Sequence, residues 1–330
     1  IRHDRAQRHF RYTLSMKINL LSTSTYATPP LGYGGEMFFW HLAKGFCELG
    51  HQVVLWAAPG SRPPHLGCRC KLRYIPGTYG AIDVGREYWA TDWYYQEFLD
   101  CDYLLDCSHN HFPAEVAGWY RPADQGKIVV VLNGVTGTTP RCGPYNVVVG
   151  SQKWRDLIVY GRSQFLGTIF ANLYGEEVPP VPESLVVGVV PWATDVTFYT
   201  PGDGAGNYLL WLSRPTAYKG LRTAVEVAER SGVALKVVPT VANPSHRKEW
   251  EEQWPFIVAA RERGVKIEVE FLSEARGHHE RKREIYQGAT ALIYPVLSHE
   301  PFGMVSIEAL ACGTPVIASM MGALPEIVRH

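Results

Sequence analysis

Two glutamates near the end of the chain, Glu300 and Glu308, stand with seven residues between them. Glu300 lies beside Pro301 and Gly303, residue types that punctuate a turn. Glu308 lies among Ile307, Ala309, Leu310, Ala311 and Cys312. An acid in a loop beside a helix N-terminus is stabilised as the anion by the amide dipoles. An acid inside an apolar helix needs a partner or a ligand, because an unpaired buried charge is costly. Further upstream, Arg214 and Lys219 bracket a second turn. Two cations beside a helix N-terminus form a place for a diphosphate. Set around one crevice, these four groups could hold an anionic leaving group and steady the charge that builds as its bond breaks.

The elements that would position them read clearly in the second half. Residues 291–296 are an apolar run, the mark of a buried parallel strand. A turn follows, then a helix over 304–312 closed by Gly313, then a strand over 315–319. This is one strand–helix–strand unit with its anion-binding end at the carboxyl edge of the first strand. Arg214 and Lys219 sit in the same relation to a strand over 208–212 and a helix over 221–231. Pro239 ends a strand over 234–238, and Leu272 follows one over 266–271. Residues 245–263 read as a charged, solvated helix. His278 and His279 open another helix; neighbouring positions cannot face one metal, so both read as surface residues.

The first half repeats the alternation. A strand over 16–22 leads through a loop with Gly32, Gly34 and Gly35 into a helix carrying Phe39, Leu42, Ala43, Phe46 and Leu49 at helical spacing. A strand over 52–57 follows. The glycines miss the G-x-G-x-x-G spacing of a dinucleotide fold, and no acid ends the second strand, so a nicotinamide-linked dehydrogenase is remote. Further strands are expected over 72–75, 103–105, 127–132, 147–149, 157–160 and 185–190, and a helix over 164–173 capped by Ser163. The helix over 86–99 carries Tyr88, Trp89, Trp93, Tyr94, Tyr95 and Phe98. It reads as a core helix with tyrosine hydroxyls reaching water; a stacking platform for an acceptor is the second reading. The strand over 103–105 ends near His109 and His111, at the edge where ligands collect. The expected fold is α/β, two Rossmann-like parallel-sheet domains facing across a cleft, with residues 16–200 in the first and 201–330 in the second. Residues 1–15 are basic and patternless and read as a tag or leader before a start at Met16.

Composition bounds the function. The chain has 330 residues, 46% hydrophobic and 19% charged, with a formal net charge of zero. Balanced charge gives no electrostatic case for nucleic acid. No apolar run approaches the ~18 residues of a membrane span. Seven scattered cysteines, with Cys68 and Cys70 the one close pair, match no zinc framework. They read as reduced thiols of a cytoplasmic protein.

Glu300-Pro-Phe-Gly, Glu308-Ala-Leu-Ala-Cys-Gly-Thr-Pro-Val-Ile-Ala and Gly322-Ala-Leu-Pro-Glu326, in this order, resemble the signature of glycosyltransferase family 4. Members have the GT-B fold and move sugars from nucleotide donors with retention of anomeric configuration. The resemblance implies that Glu300 lies at the donor sugar and that Glu308 binds the ribose hydroxyls. It implies that the segment Phe302, Gly303, Met304 and Val305 faces the sugar and diphosphate, through the backbone amides of the last three. Arg214 and Lys219 would hold the leaving diphosphate, and Gly34 and Gly35 would approach it from the first domain. Pro239 and Leu272 would flank the base. His109, with His111 in reserve, would stand near the acceptor. Relatives write His-Gly where this chain has Asn133-Gly134, and Asn-Gly-Val where it has Trp192-Ala-Thr. They also continue through more of the second domain, so its C-terminal end is expected to be truncated.

The implied reaction is transfer of a sugar from a nucleotide diphosphate sugar to a sugar, lipid or small-molecule acceptor. Such proteins work in the cytoplasm, some in peripheral contact with the inner face of a membrane. No metal or other cofactor is expected: Asp100-Cys-Asp102 has the letters of a metal motif but precedes a strand instead of ending one. Two rivals share the architecture, a sugar-nucleotide epimerase and a catalytically silent nucleotide-sugar binder.

Overall fold

A computed structural model describes residues 14–23, 26–29, 34–64, 70–75, 84–108, 111–132, 145–160, 181–272 and 278–329, with the side chains of 84–88 and 114 left aside. His109, the expected helix over 164–173 and most of the expected leader lie outside the described residues.

The strands of the first lobe are β1 (Lys17–Leu21), β2 (Gln52–Ala57), β3 (Cys70–Tyr74), β4 (Tyr103–Asp106), β5 (Ile128–Leu132), β6 (Asn146–Val149) and β7 (Val186–Val189). They pair in parallel in the order β3-β2-β1-β4-β5-β6-β7. The second lobe has β8 (Tyr208–Ser213), β9 (Ala234–Pro239), β10 (Ile267–Val269), β11 (Ala291–Tyr294) and β12 (Val316–Ala318), parallel in the order β10-β9-β8-β11-β12. Strands such as Ile-Val-Val-Val-Leu in β5 are covered on both faces, which is why they read as unbroken apolar runs. In each sheet the strand order reverses beside the first strand. The reversals, between β1 and β4 and between β8 and β11, open crevices at the carboxyl ends. The turns that carry Arg214, Lys219 and Glu300 leave β8 and β11, at one of them.

The helices are α1 (Gly34–Glu48), α2 (Val84–Leu99), α3 (Phe112–Tyr120), α4 (Gln152–Tyr160), α5 (Leu221–Ser231), α6 (Pro244–Glu262), α7 (His278–Gly288), α8 (Met304–Ala311) and the short α9 (Leu324–Ile327). α5 shows the local logic. Leu221, Ala224, Val225 and Ala228 fall on one buried face, and Gly232 ends the helix at φ 70°.

The structure corrects three expectations. Residues 157–160 belong to helix α4, not a strand: Ser151 accepts from the Trp154 amide as an N-cap, and Trp154 and Ile158 bury one helical stripe. His278 and His279 are not surface residues; His278 is buried and His279 half-buried at the start of α7. In α2, Trp89 and Trp93 stack on each other at 5.5 Å and stay exposed, while Ala90, Phe98 and Leu99 face the core. That helix therefore keeps its largest rings outside.

The lobes meet along an apolar seam. Trp192, from the crossover segment that follows β7, stacks on Phe38 of α1 at 5.2 Å and packs at a tilt against Phe302 of the second lobe at 5.3 Å. Met304 completes this cluster with Ile18, Leu20 and Leu55 of the first lobe. Lys44 of α1 pairs with Asp195 of the crossover. Trp192 is 7% exposed, so Trp192→Ala should cost about 3–5 kcal/mol. A urea melt of the variant should show that loss with far-UV dichroism unchanged before the transition.

Candidate active site

The second lobe brings its charged residues to one place. After β8, a single 3₁₀ turn over Ala217–Lys219 ends at Gly220, φ 73°, which opens α5. A Cβ on Gly220 would lie 2.0 Å from the Pro295 carbonyl oxygen. Only glycine lets the Lys219 turn pack onto the turn that leaves β11. Lys219 is thereby buried at 7% exposure and reaches the Glu300 carboxylate at 2.5 Å and the Tyr294 hydroxyl at 3.0 Å. Tyr294 donates to the same Glu300 oxygen at 2.9 Å.

Burial opposes the charge on Lys219, yet Glu300 overrides it and holds the ammonium's pKa above its usual range. Burial likewise pushes Glu300 up, and Lys219 more than offsets it, so the carboxyl titrates below its usual value. Arg214 donates to Tyr218 at 2.8 Å and adds to the depression of Glu300. Gly303, φ 94°, begins α8 directly behind: a Cβ there would meet Glu300 Cγ at 3.5 Å and Leu324 at 2.9 Å. Lys219 and Glu300 thus meet just ahead of α8, with Arg214 near enough to act on the Glu300 charge. In such a setting the ionised acid can stabilise positive charge on a ring, and the cations and helix amides negative charge on a departing phosphate.

The other expected residues fall in three settings. Pro239 pairs in register with Ser213 at the end of β9, and Leu272 and Val305 lie at the rim of the cluster containing Tyr294 and Leu324. Phe302 and Met304 turn their side chains into the seam. Gly34 starts α1 against Met304, where a Cβ would come within 3.0 Å of Met304 Cγ; Gly35 follows it in the same first turn. The N-termini of α1 and α8 therefore abut.

Glu308 has a different neighbourhood. It is 1% exposed, and Lys282 pairs with it at 2.6 Å. Tyr286 donates to it at 2.9 Å and Tyr199 at 3.3 Å. Its burial is satisfied by the protein itself.

Beyond the end of β4, His111 is buried, in the left-handed region at φ 51°, with Nδ1 3.5 Å from Asp106 Oδ2. Asp106 also accepts from the Ser108 amide at 2.9 Å and hydroxyl at 2.7 Å. Sequence reasoning missed Tyr294 and Tyr218, which lie close in sequence to Glu300 and Arg214, and Lys282, Tyr286 and Tyr199, which reach Glu308 from segments distant in sequence. Asp102, in the supposed metal motif, accepts from the Lys17 amide at 2.8 Å, on the amino edge of the sheet. A hollow of about 600 Å³ opens there beside Lys17, Arg121 and Lys127, but these cations already pair with Asp100 and Asp124. Among the described residues no cluster of His, Cys, Asp or Glu could hold a metal, and no helix is long and apolar enough to cross a membrane.

Residues 201–330 match the family model of glycosyl transferases group 1. Over 160 residues the chain is 34% identical to the D-inositol 3-phosphate glycosyltransferase of Rhodococcus erythropolis, covering 44% of this chain and 35% of that one. It spans about a third of the length of the curated relatives it matches. Two solved structures superpose on nearly all of it. HepE of Anabaena, in complex with UDP and glucose, has TM-score 0.61 and 16% identity, covering 96% of this chain and 83% of that one. The catalytic domain of starch synthase IV from Arabidopsis thaliana, bound to ADP and acarbose, has TM-score 0.66 and 11% identity, covering 96% and 85%. The fold is GT-B. The curated relatives that the chain matches are named as glycosyltransferases.

Two outcomes test the electrostatics. Lys282→Met leaves the Glu308 charge buried and should destabilise by about 3–5 kcal/mol, while adding Glu308→Gln should recover most of that in a urea melt. His279 is held down to about 3, by burial first and then by His278, Lys282, Arg62 and His41. The unfolded chain takes up this proton near pH 6.5 and the folded one does not. Stability should therefore fall as pH drops from about 6.5 towards 3, by up to about 1.4 kcal/mol per pH unit. His279→Asn should flatten that slope in thermal melts across the same range.

Proposed function

We propose that this chain transfers a glycosyl group from a nucleotide diphosphate sugar to an acceptor hydroxyl, with retention and without a metal ion. The observation that carries the reading is the contact of Lys219 and Tyr294 with Glu300 at the start of α8, with Arg214 alongside. In the reaction the bond from the anomeric carbon to phosphate oxygen breaks and one to the acceptor oxygen forms. The acceptor's proton passes to the leaving phosphate, which departs as the nucleoside diphosphate. Arg214, Lys219 and the amides of Gly303, Met304 and Val305 would take up the charge on that phosphate. Each preorganised donor of this kind is worth about 2.7–4 kcal/mol in a barrier. Glu300, kept ionised by Lys219, would stabilise positive charge on the sugar ring. A front-face course needs no protein nucleophile. The ribose role for Glu308 carries a condition: at 1% exposure it reaches a hydroxyl only if the residues that cover it move aside. The resemblance of this lobe to nucleotide-sugar enzymes, and the UDP and ADP in two neighbours of like fold, support the reading.

A panel of nucleoside diphosphates should raise the melting temperature for one base, and its diphosphate sugars should then be turned over. Ligand at 100 times its Kd stabilises by about 2.7 kcal/mol. Glu300→Ala should leave that shift in place and lower kcat by about 100-fold, roughly 2.7 kcal/mol. Unchanged kcat would remove Glu300 from the mechanism. Product formed from donor alone, with its sugar epimerised, would favour the epimerase reading.

A further inference from the structure

One segment of the second lobe touches both Glu300 and the first lobe. Gly322, φ 59°, passes so close to Glu300 that a Cβ would lie 2.2 Å from its carbonyl oxygen and 2.3 Å from its nitrogen. The next amide, of Ala323, donates to the Glu300 carbonyl at 2.9 Å. α9 begins there and carries Glu326. Both carboxylate oxygens of Glu326 cross to the first lobe, accepting from the Gln152 amide at 2.9 Å and the Lys153 amide at 2.7 Å. These are the unsatisfied N–H groups at the start of α4, where a carboxylate is favoured by both charge and hydrogen bonding. Ser151, the N-cap of α4, donates to the Pro301 carbonyl at 3.0 Å, one residue from Glu300. The start of α4 is thus tied on two sides to the backbone that sets Glu300.

The geometry points to Glu326 as a positioning residue: it docks the second lobe on the N-terminus of α4 and thereby fixes the backbone that aims Glu300. The inference rests on the glycosyl-transfer reading for its kinetic consequence, and on the structure alone for the docking. The contact exists only when the lobes are together. Separated lobes would leave the carboxylate and the two amides to water. Docking and the setting of Glu300 are then one event, transmitted through Gly322 and Ala323. Glu326 touches no expected ligand, so its loss should act on turnover and spare binding.

Native-state amide exchange and kinetics on the full chain test this, with Glu326→Ala and the milder Glu326→Gln. The amides of Gln152, Lys153 and Ala323 should all exchange about tenfold faster in Glu326→Ala, with smaller changes in Glu326→Gln and the core of β8 unaltered. Faster exchange at Gln152 and Lys153 with Ala323 unchanged overturns the coupling and leaves a simple cap. With UDP-glucose as donor, kcat should fall about tenfold while its KM and the Kd for UDP stay within about twofold. A lower melting temperature with unchanged kcat per folded molecule also overturns the inference. If the wild-type chain neither binds UDP nor turns over UDP-glucose, the functional reading fails for that donor, and the exchange result still decides the docking.

Discussion

The structure turns on a buried ion pair. Lys219 and Glu300 each hold the other charged, with help from Tyr294, in surroundings that penalise either alone. The pair is possible because β8 and β11 are adjacent and in register, Leu209 opposite Ala291 and Leu210 opposite Leu292. Parallel pairing delivers the turns after both strands to the same edge. Gly220 then lets those turns close to contact distance. A charge arrangement of this kind is preorganised, because the backbone fixes it before any ligand arrives.

The two acids that open the sequence story end in contrasting roles. Glu300 stands at the N-terminus of α8, beside cations and a crevice. Glu308, in the second turn of that helix, looks inward onto Lys282, Tyr286 and Tyr199. Residue type is shared; environment separates them, as it does wherever paired carboxylates are tuned apart. The phenols that surround Glu308 are themselves raised in pKa, by burial first and then by that carboxylate, which keeps them as donors.

Much of this was legible in the sequence. Apolar runs ending in turn residues located the parallel strands, since a strand covered on both faces has no alternation to disguise it. The spacing of Arg214, Lys219, Glu300 and Gly303 named the charged cluster. Residues 157–160 misled because Leu-Ile-Val-Tyr looks like a strand when read without Ser151 and Trp154, which set the helical register. His278 and His279 were misplaced because their helix is charged, and nothing local reveals that its start is buried. Glu326 was quoted as a motif letter, but its partners are backbone amides of residues 152 and 153, which carry no side-chain signature. Contacts that depend on how two lobes meet leave little trace in local periodicity.

The seam at Trp192 has a further bearing on how the protein comes apart. Phe302 and Met304 belong by chain position to the second lobe and by packing to the core of the first. Neither sheet can then melt while the other keeps its full apolar shell. The two lobes should behave as one cooperative unit, with a single calorimetric transition whose enthalpy reflects both sheets. A first lobe expressed alone would present Phe38 and Trp192 to water as a sticky face, and its solubility would suffer before its strands did.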